Sequence, residues 1–216
     1  MSIHQLLFDY DGTLHDSTAI YPPAFRQMYD QMVMDGIAPP RSWLDQEITK
    51  WLGFNAPDMW RDFMPSLSPT QTEYYGGLIG RFMTKAIEDG EARLYPHTQE
   101  VLEALRQRGY SMFLLSNCRG DYLEAHRKAF GLDRFFQGFY PAQEYGFRPK
   151  TEIFPFIQTQ HPGSFVVIGD RFHDMVLAQQ NQLPAIGCRY GFGSDDELSY
   201  ARYKISDIQD LLLLFP

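Results

Sequence analysis

Cysteine is scarce in this sequence. Cys118 and Cys188 are its two, too few for a disulfide framework and without the spacing of a metal site, which fits a reducing compartment. No apolar run approaches the roughly 20 residues of a membrane span. The opening MSIHQLLFDYDG lacks the basic flank and cleavage site of a leader, so a soluble cytoplasmic protein is expected. Low-complexity tracts and internal repeats are missing as well. Basic residues are the minority: 19 Lys and Arg against 27 Asp and Glu leave a net charge of -8. That balance speaks against general affinity for nucleic acid or an anionic membrane. It leaves a small anionic substrate open, because local charge decides that case.

What is present is an ordinary globular composition, 44% hydrophobic and 21% charged over 216 residues, enough for one well-buried core with a small attached domain. From about Ser17 to Gly90 the pattern is helical throughout. Ala24, Phe25, Met28, Met32 and Val33 recur at helical spacing, as do Leu78, Ile79, Phe82, Met83 and Ala86. Pro22 and Pro23 suit a first helical turn, Gly36 closes that helix, and Pro39, Pro40, Pro57, Pro65 and Pro69 break the remainder into short helices. From Leu94 onward helices alternate with strands: Thr98 to Arg108, Tyr110 to Ser116, Asp121 to Phe130, Thr151 to Gln160, Phe165 to Gly169, Asp174 to Gln182, and Ala185 to Cys188. Strands separated by helices of about ten residues pair in parallel through right-handed crossovers. The expected fold class is therefore α/β, a doubly wound parallel sheet whose first strand is Ile3 to Asp9, with a helical insert after that strand. The Leu211 to Leu214 run is expected to be a terminal helix packing on the sheet.

Chemistry concentrates where apolar runs stop. FDYDGTLHDS, residues 8 to 17, ends the first run on Asp9 and Asp11. In a parallel sheet the carboxyl ends of the strands open onto the ligand crevice, which puts both acids at its floor. Gly12 allows a sharp turn and Thr13 can hydrogen-bond back across it. FLLSNC, residues 113 to 118, ends in Ser116 and Asn117, and FVVIGD, residues 165 to 170, ends in Asp170 with Asp174 at helical spacing. RPKTE lies between them and carries Lys150.

In this order, DxDGT, strand-Ser-Asn, Lys and GDxxxD resemble the haloacid dehalogenase-like phosphohydrolase superfamily over nearly the whole chain. The resemblance implies a Rossmann-like core, residues 1–16 and 91–216, and a helical cap, residues 17–90, of the kind seen in phosphoglycolate phosphatases. The cap would hang over Asp9 from linkers near His15 to Thr18 and Glu91 to Pro96. WLGFNAPDMW, residues 51 to 60, resembles a substrate-facing loop, with Gly53 to Asn55 the part expected to face substrate and Trp51 and Trp60 expected in the cap core.

The same resemblance implies a role for each motif residue. Asp9 is the expected nucleophile, forming an aspartyl-phosphate that divides one difficult hydrolysis into two easier displacements. Asp11 is the expected acid toward the leaving alcohol and then base for water. Asp9, Asp11, Asp170 and Asp174 beside a phosphate repel one another by roughly 4 kcal/mol per pair at about 4 Å and an effective dielectric near 20, so a cation is required. Oxygen ligands point to magnesium (Mg2+), held by Asp9, the backbone carbonyl of Asp11 and Asp170, with Asp174 reaching a bound water or orienting a neighbour. Ser116 and Asn117, with the turn at Gly12 and Thr13, are expected to bind phosphate oxygens. Lys150 is the expected cation on the phosphate, and Arg148 is the alternative, because the lysine lacks the usual following proline and Arg148-Pro149 matches that register. His173 is expected to face solvent or cap a helix, and YGFGS, residues 190 to 194, to border the site.

The function expected is magnesium-dependent hydrolysis of a small phosphorylated metabolite, phosphoglycolate or a sugar phosphate by resemblance. A phosphomutase of the same superfamily, a phosphoacceptor signalling domain and a non-catalytic binding protein are the alternatives. A haloacid dehalogenase proper would lack Asp11, and a phosphoacceptor domain would need no insert.

Overall fold

The computed structural model describes residues 5–216. Strand β1, Gln5–Phe8, occupies the centre of the sheet; Ile3 and His4 of the expected strand lie outside the described residues. The N–H of Asp9 still bonds to the Ile168 carbonyl at 2.8 Å, so the ladder runs one residue past the strand and fixes the backbone of the first acid. Strands β2 (Ser111–Ser116), β3 (Phe136–Pro141), β4 (Phe165–Gly169), β5 (Ala185–Cys188) and β6 (Tyr203–Ile205) complete a six-stranded sheet of order β3-β2-β1-β4-β5-β6. Each neighbouring pair is parallel. The strand order reverses at β1, so the crevice opens between the ends of β1, β2 and β4.

Side chains alternate across the sheet. Leu6, Phe8, Met112, Leu114, Val166 and Ile168 face helices α5 (Thr98–Gln107) and α6 (Gly120–Phe130). On the other face, Leu7, Phe113, Leu115, Phe165 and Val167 pack on α7 (Lys150–Gln160) and α8 (Phe172–Gln180). Helices therefore cover both faces, as a doubly wound α/β fold requires. The last helix, α9 (Leu211–Leu214), packs against α5, with Leu211 buried in the apolar cluster that also holds Leu6 and Ile186 of the sheet and Leu213 exposed.

Between β1 and α5 the chain forms only helices: α1 (Tyr21–Met34), α2 (Asp45–Thr49), α3 (Ala56–Phe63) and α4 (Pro69–Glu88), after a short 3-10 turn at Ser17–Ala19. The prolines opening α1, α3 and α4 sit in the first turn, where no intrahelical N–H is lost. Asn55 accepts from the Asp58 N–H at 2.8 Å to cap α3, and Ser68 with Gln71 forms a capping box on α4. The apolar interior of this insert is continuous with the sheet face that carries α5 and α6.

The sequence pattern predicts neither β3 nor β6. Both are edge strands: β3 carries Gly138 and ends on Pro141, and β6 has three residues. Edge strands of this kind lack the continuous apolar run that marks a buried parallel strand.

Candidate active site

The loop after β1 coils tightly on one acceptor. The Tyr10 carbonyl receives the N–H groups of Thr13, Leu14 and His15 at 3.2, 2.8 and 3.0 Å. Gly12 supplies the left-handed step, with φ of 86°, and a Cβ there would fall 2.2 Å from Asp170 Oδ2. The coil brings the Asp9 and Asp11 side chains to the same void.

Beneath that void lies a buried ionic cluster. Lys150, at the start of α7, puts Nζ 2.7 Å from Asp9 Oδ1 and 2.7 Å from Asp174 Oδ1. Carboxylate oxygens of Asp9, Asp170 and Asp174 lie within 4.8 Å of one another, and all four residues are buried. Asp170 accepts from the Thr13 hydroxyl at 3.2 Å and from the Phe192 N–H at 2.7 Å. Residues 190 to 194 can make that contact because Gly193 passes so close that a Cβ would meet the Asp170 carbonyl oxygen at 1.9 Å.

The electrostatics follow from burial. Burial pushes Asp9 up to about 7 against the pull of the Lys150 ammonium, and Asp174 adds to the rise. Asp170 is pushed well above the usual carboxylate range by burial and by the charges of Asp9 and Asp174. Burial alone would lower Lys150, but Asp174 and Asp9 outweigh it and hold the ammonium charged. Three carboxylates thus crowd together with one ammonium, which pairs with two of them. A divalent cation taking oxygen ligands fits this donor set, and its charge would reverse both upward shifts.

Asp11 is held differently. Its Oδ1 accepts from the hydroxyls of Ser17 at 2.5 Å and Tyr122 at 2.7 Å, and lies 2.9 Å from His15 Nδ1. Burial pushes its pKa up, yet the contacts with His15 and Ser17 prevail and leave it below the usual range. Ser116 and Asn117, at the end of β2, are buried and line the same void. The Asn117 amide donates to the Gly53 carbonyl at 2.9 Å, so this residue also ties the sheet to the insert.

Several expectations need correction. Arg148 is exposed and lies with Glu144, Tyr145 and Phe156 around a separate depression; Pro149 intervenes before α7, leaving Arg148 outside the cluster that Lys150 enters. The Thr13 hydroxyl is directed to Asp170 rather than to the void. Asn55 caps α3, whereas Gly53 and Phe54 reach the void together with Trp51 and Trp60, which are both core residues and its walls. His173 does not cap α8, whose N-cap is Arg171: its half-buried ring packs on Phe54 and Phe172 at 5.7 and 3.8 Å, and burial lowers its pKa to about 4. Burial also raises the Cys118 thiol far above its ordinary range, which favours its protonated form.

Sequence reasoning missed Tyr122 and Arg171. Arg171 donates to the Leu52 carbonyl of the insert and pairs with Glu197 at 2.9 Å. It stood inside the GDRFHD motif, but nothing in its spacing marked a contact with residue 52. Tyr122, in the first turn of α6, carries no local signal.

The family model described as haloacid dehalogenase-like hydrolase matches residues 6–188. The chain belongs to the haloacid dehalogenase-like hydrolase family. It is 28% identical over 200 residues to a 5'-nucleotidase of Pseudomonas aeruginosa, covering 89% of this chain and 86% of that protein. It is 22% identical over 218 residues to a phosphoglycolate phosphatase of Haemophilus influenzae, covering 86% of this chain and 85% of the relative. A haloacid dehalogenase-like family protein of Streptococcus pneumoniae shares its fold with a TM-score of 0.79 at 23% identity, covering 99% of each chain. The matched span takes in Asp9, Asp11, Ser116, Lys150, Asp170 and Asp174. Among the described residues no helix is long and apolar enough to cross a membrane.

Proposed function

We propose that this member of the family is a magnesium-dependent phosphatase that hydrolyses the phosphomonoester of a small metabolite through an aspartyl-phosphate on Asp9. The observation that carries the reading is Lys150 Nζ, 2.7 Å from both Asp9 and Asp174, beneath a void that Asp9 and Asp11 line. In the first step an Asp9 oxygen forms a bond to phosphorus as the bond to the leaving oxygen breaks, and Asp11 gives its proton to the departing alcohol. In the second step water attacks the same phosphorus, Asp11 takes the water's proton, and the bond between Asp9 and phosphorus breaks to release phosphate.

The downward shift of Asp11 suits the second step, where it acts as a base. A phosphate dianion arriving beside it raises its pKa and favours the protonated form that the first step needs. Ser116 and Asn117 hold phosphate oxygens, and the Lys150 ammonium offsets charge on the nucleophile and on the transferring group. Asp9, Asp170 and the Asp11 backbone carbonyl would hold magnesium, with Asp174 orienting Lys150. When bound, the ion supplies positive charge that offsets the carboxylates and the phosphate together. The helices of residues 17–90 serve as a cap on the core formed by residues 1–16 and 91–216, excluding water and contacting the leaving group. Phosphoglycolate and sugar phosphates are the substrates that the family resemblance offers first.

Turnover of para-nitrophenyl phosphate with magnesium, and again with excess chelator, tests this reading. Phosphate release that depends on the metal is expected; no release under either condition would remove it.

A further inference from the structure

Above Asp9 and Asp11 the void has a volume of about 140 Å³. Most of its wall comes from the insert and is apolar: Trp51, Phe54, Met59, Trp60, Ile79 and Met83. The charged side chains that line it are Asp9 and Asp11 on the floor and Arg119. Arg119 also lines the outer groove next to the void, which puts it at the mouth, and there it is already paired with Asp121 at 3.2 Å. Arg119 at the mouth is the cation that lines the void, so an anionic group on a leaving alcohol seated among the apolar walls of the insert would lie unpaired, and an unpaired buried charge is strongly disfavoured.

The helix opposite carries a second, independent mark. Gly76 and Gly80, one turn apart in the middle of α4, both line the void and are half-buried. A Cβ on Gly76 would lie 3.2 Å from Trp60 Nε1, and one on Gly80 would lie 3.7 Å from Arg119. Glycine inside a helix is destabilising relative to alanine, so two on one face keep a space open at the expense of the helix. At the rim Phe147 adopts a φ of 56°, a conformation that a bulky side chain rarely takes, and it lines both the void and the outer groove.

From the walls and the glycine face together, we infer that the leaving group of the substrate is uncharged and presents an apolar or aromatic face to the insert. Phosphoglycolate, with its second carboxylate, and sugar phosphates, with hydroxyls that the apolar walls cannot satisfy, are then poor substrates. The inference rests on the phosphomonoesterase reading and narrows it.

The test compares kcat/KM, with magnesium, for benzyl phosphate, methyl phosphate and 2-phosphoglycolate, all esters of alkyl alcohols, so that the body of the leaving group is the main variable. Benzyl phosphate is expected to exceed 2-phosphoglycolate by at least about tenfold. Gly80→Leu, which fills the void from α4, is expected to cut the benzyl-to-methyl ratio of kcat/KM by at least about tenfold. The parent protein alone decides the first comparison, whether or not the variant folds. If 2-phosphoglycolate matches or exceeds benzyl phosphate, the inference falls and the phosphatase reading stands. If none of the three esters nor para-nitrophenyl phosphate is hydrolysed, the phosphatase reading falls and takes the inference with it.

Discussion

At the carboxyl ends of β1 and β4 the protein buries Asp9, Asp170 and Asp174 together, with Lys150 paired to Asp9 and Asp174, whereas the insert above them buries aromatic rings. Phe25, Trp51 and Phe63 lie 5.1 to 5.3 Å apart by ring centroid, and Trp43 and Tyr29 extend the group. The two regions respond differently to change. In the ionic cluster every group is one side of a short, directed contact, so removing a member leaves its partner charged and buried, and the penalty is steep. In the aromatic cluster the stabilisation comes from area and packing, which neighbours partly recover by relaxing. The sheet end should thus govern whether the reaction occurs at all. The insert should govern, by degrees, which ester reacts.

The comparison is broken most severely at Asp9. Asp9→Asn is nearly isosteric and can still accept from Lys150, but its amide is a poor nucleophile. Turnover of para-nitrophenyl phosphate is expected to fall by on the order of 10⁴-fold or more, with the far-UV circular dichroism spectrum unchanged and deamidation excluded by mass spectrometry. Activity retained within tenfold would show that Asp9 is not the attacking group.

A smaller effect is expected from removing the cation at the centre of the cluster. Lys150→Met leaves three buried carboxylates facing one another, and loss of one partner from a buried pair costs about 3–5 kcal/mol. Urea denaturation in chelator should register that loss at pH 8, and added magnesium should return part of it. A loss under about 1 kcal/mol would mean that the carboxylates neutralise themselves by taking up protons, so that the cluster is less ionic than its geometry implies.

How far each region is legible in the sequence follows from the same contrast. Asp9, Asp11, Lys150, Asp170 and Asp174 sit after apolar strands or at helix starts, so strand-end position draws attention to them and the family resemblance gives each its role. Arg148 competes with Lys150 on sequence grounds because residue order does not say which side of Pro149 turns inward. The insert is readable as helices from its 3.6-residue period and its prolines, but its contacts with the sheet are not. Asn117 reaching the Gly53 carbonyl, Arg171 reaching Leu52, and Tyr122 reaching Asp11 join residues between 64 and 119 positions apart, and no local pattern encodes such meetings. The apolar walls of the void raise the same difficulty. Trp51 and Trp60 read as core, and they are core, yet one face of that core is left open toward Asp9.

The smallest expected effect sharpens the comparison at a residue that belongs by position to one region and by burial to the other. His126, on α6, is fully buried beside the Asp11 network, with its ring 4.3 Å from His15, 4.4 Å from Tyr122 and 4.9 Å from Tyr10 by centroid. Neither ring nitrogen has a hydrogen-bond partner among the described residues, so it packs as the aromatic rings of the insert do. Burial, reinforced by the charge of His15 and only partly opposed by Asp11, lowers its pKa to about 2. The folded value lies below the unfolded value of about 6.5. Below pH 6.5 the unfolded chain therefore takes up a proton that the folded chain refuses, and stability falls as pH falls. For one such group the loss between pH 7 and pH 4.5 is about 2.5 kcal/mol. His126→Leu removes it, so the unfolding free energy of the variant minus that of the parent should rise by that amount over the interval, whatever its value at pH 7. Guanidinium denaturation at the two pH values measures the difference. Parallel losses in parent and variant would show that the ring already shares a proton in the fold, which would move His126 from the packed region into the hydrogen-bonded network behind Asp11.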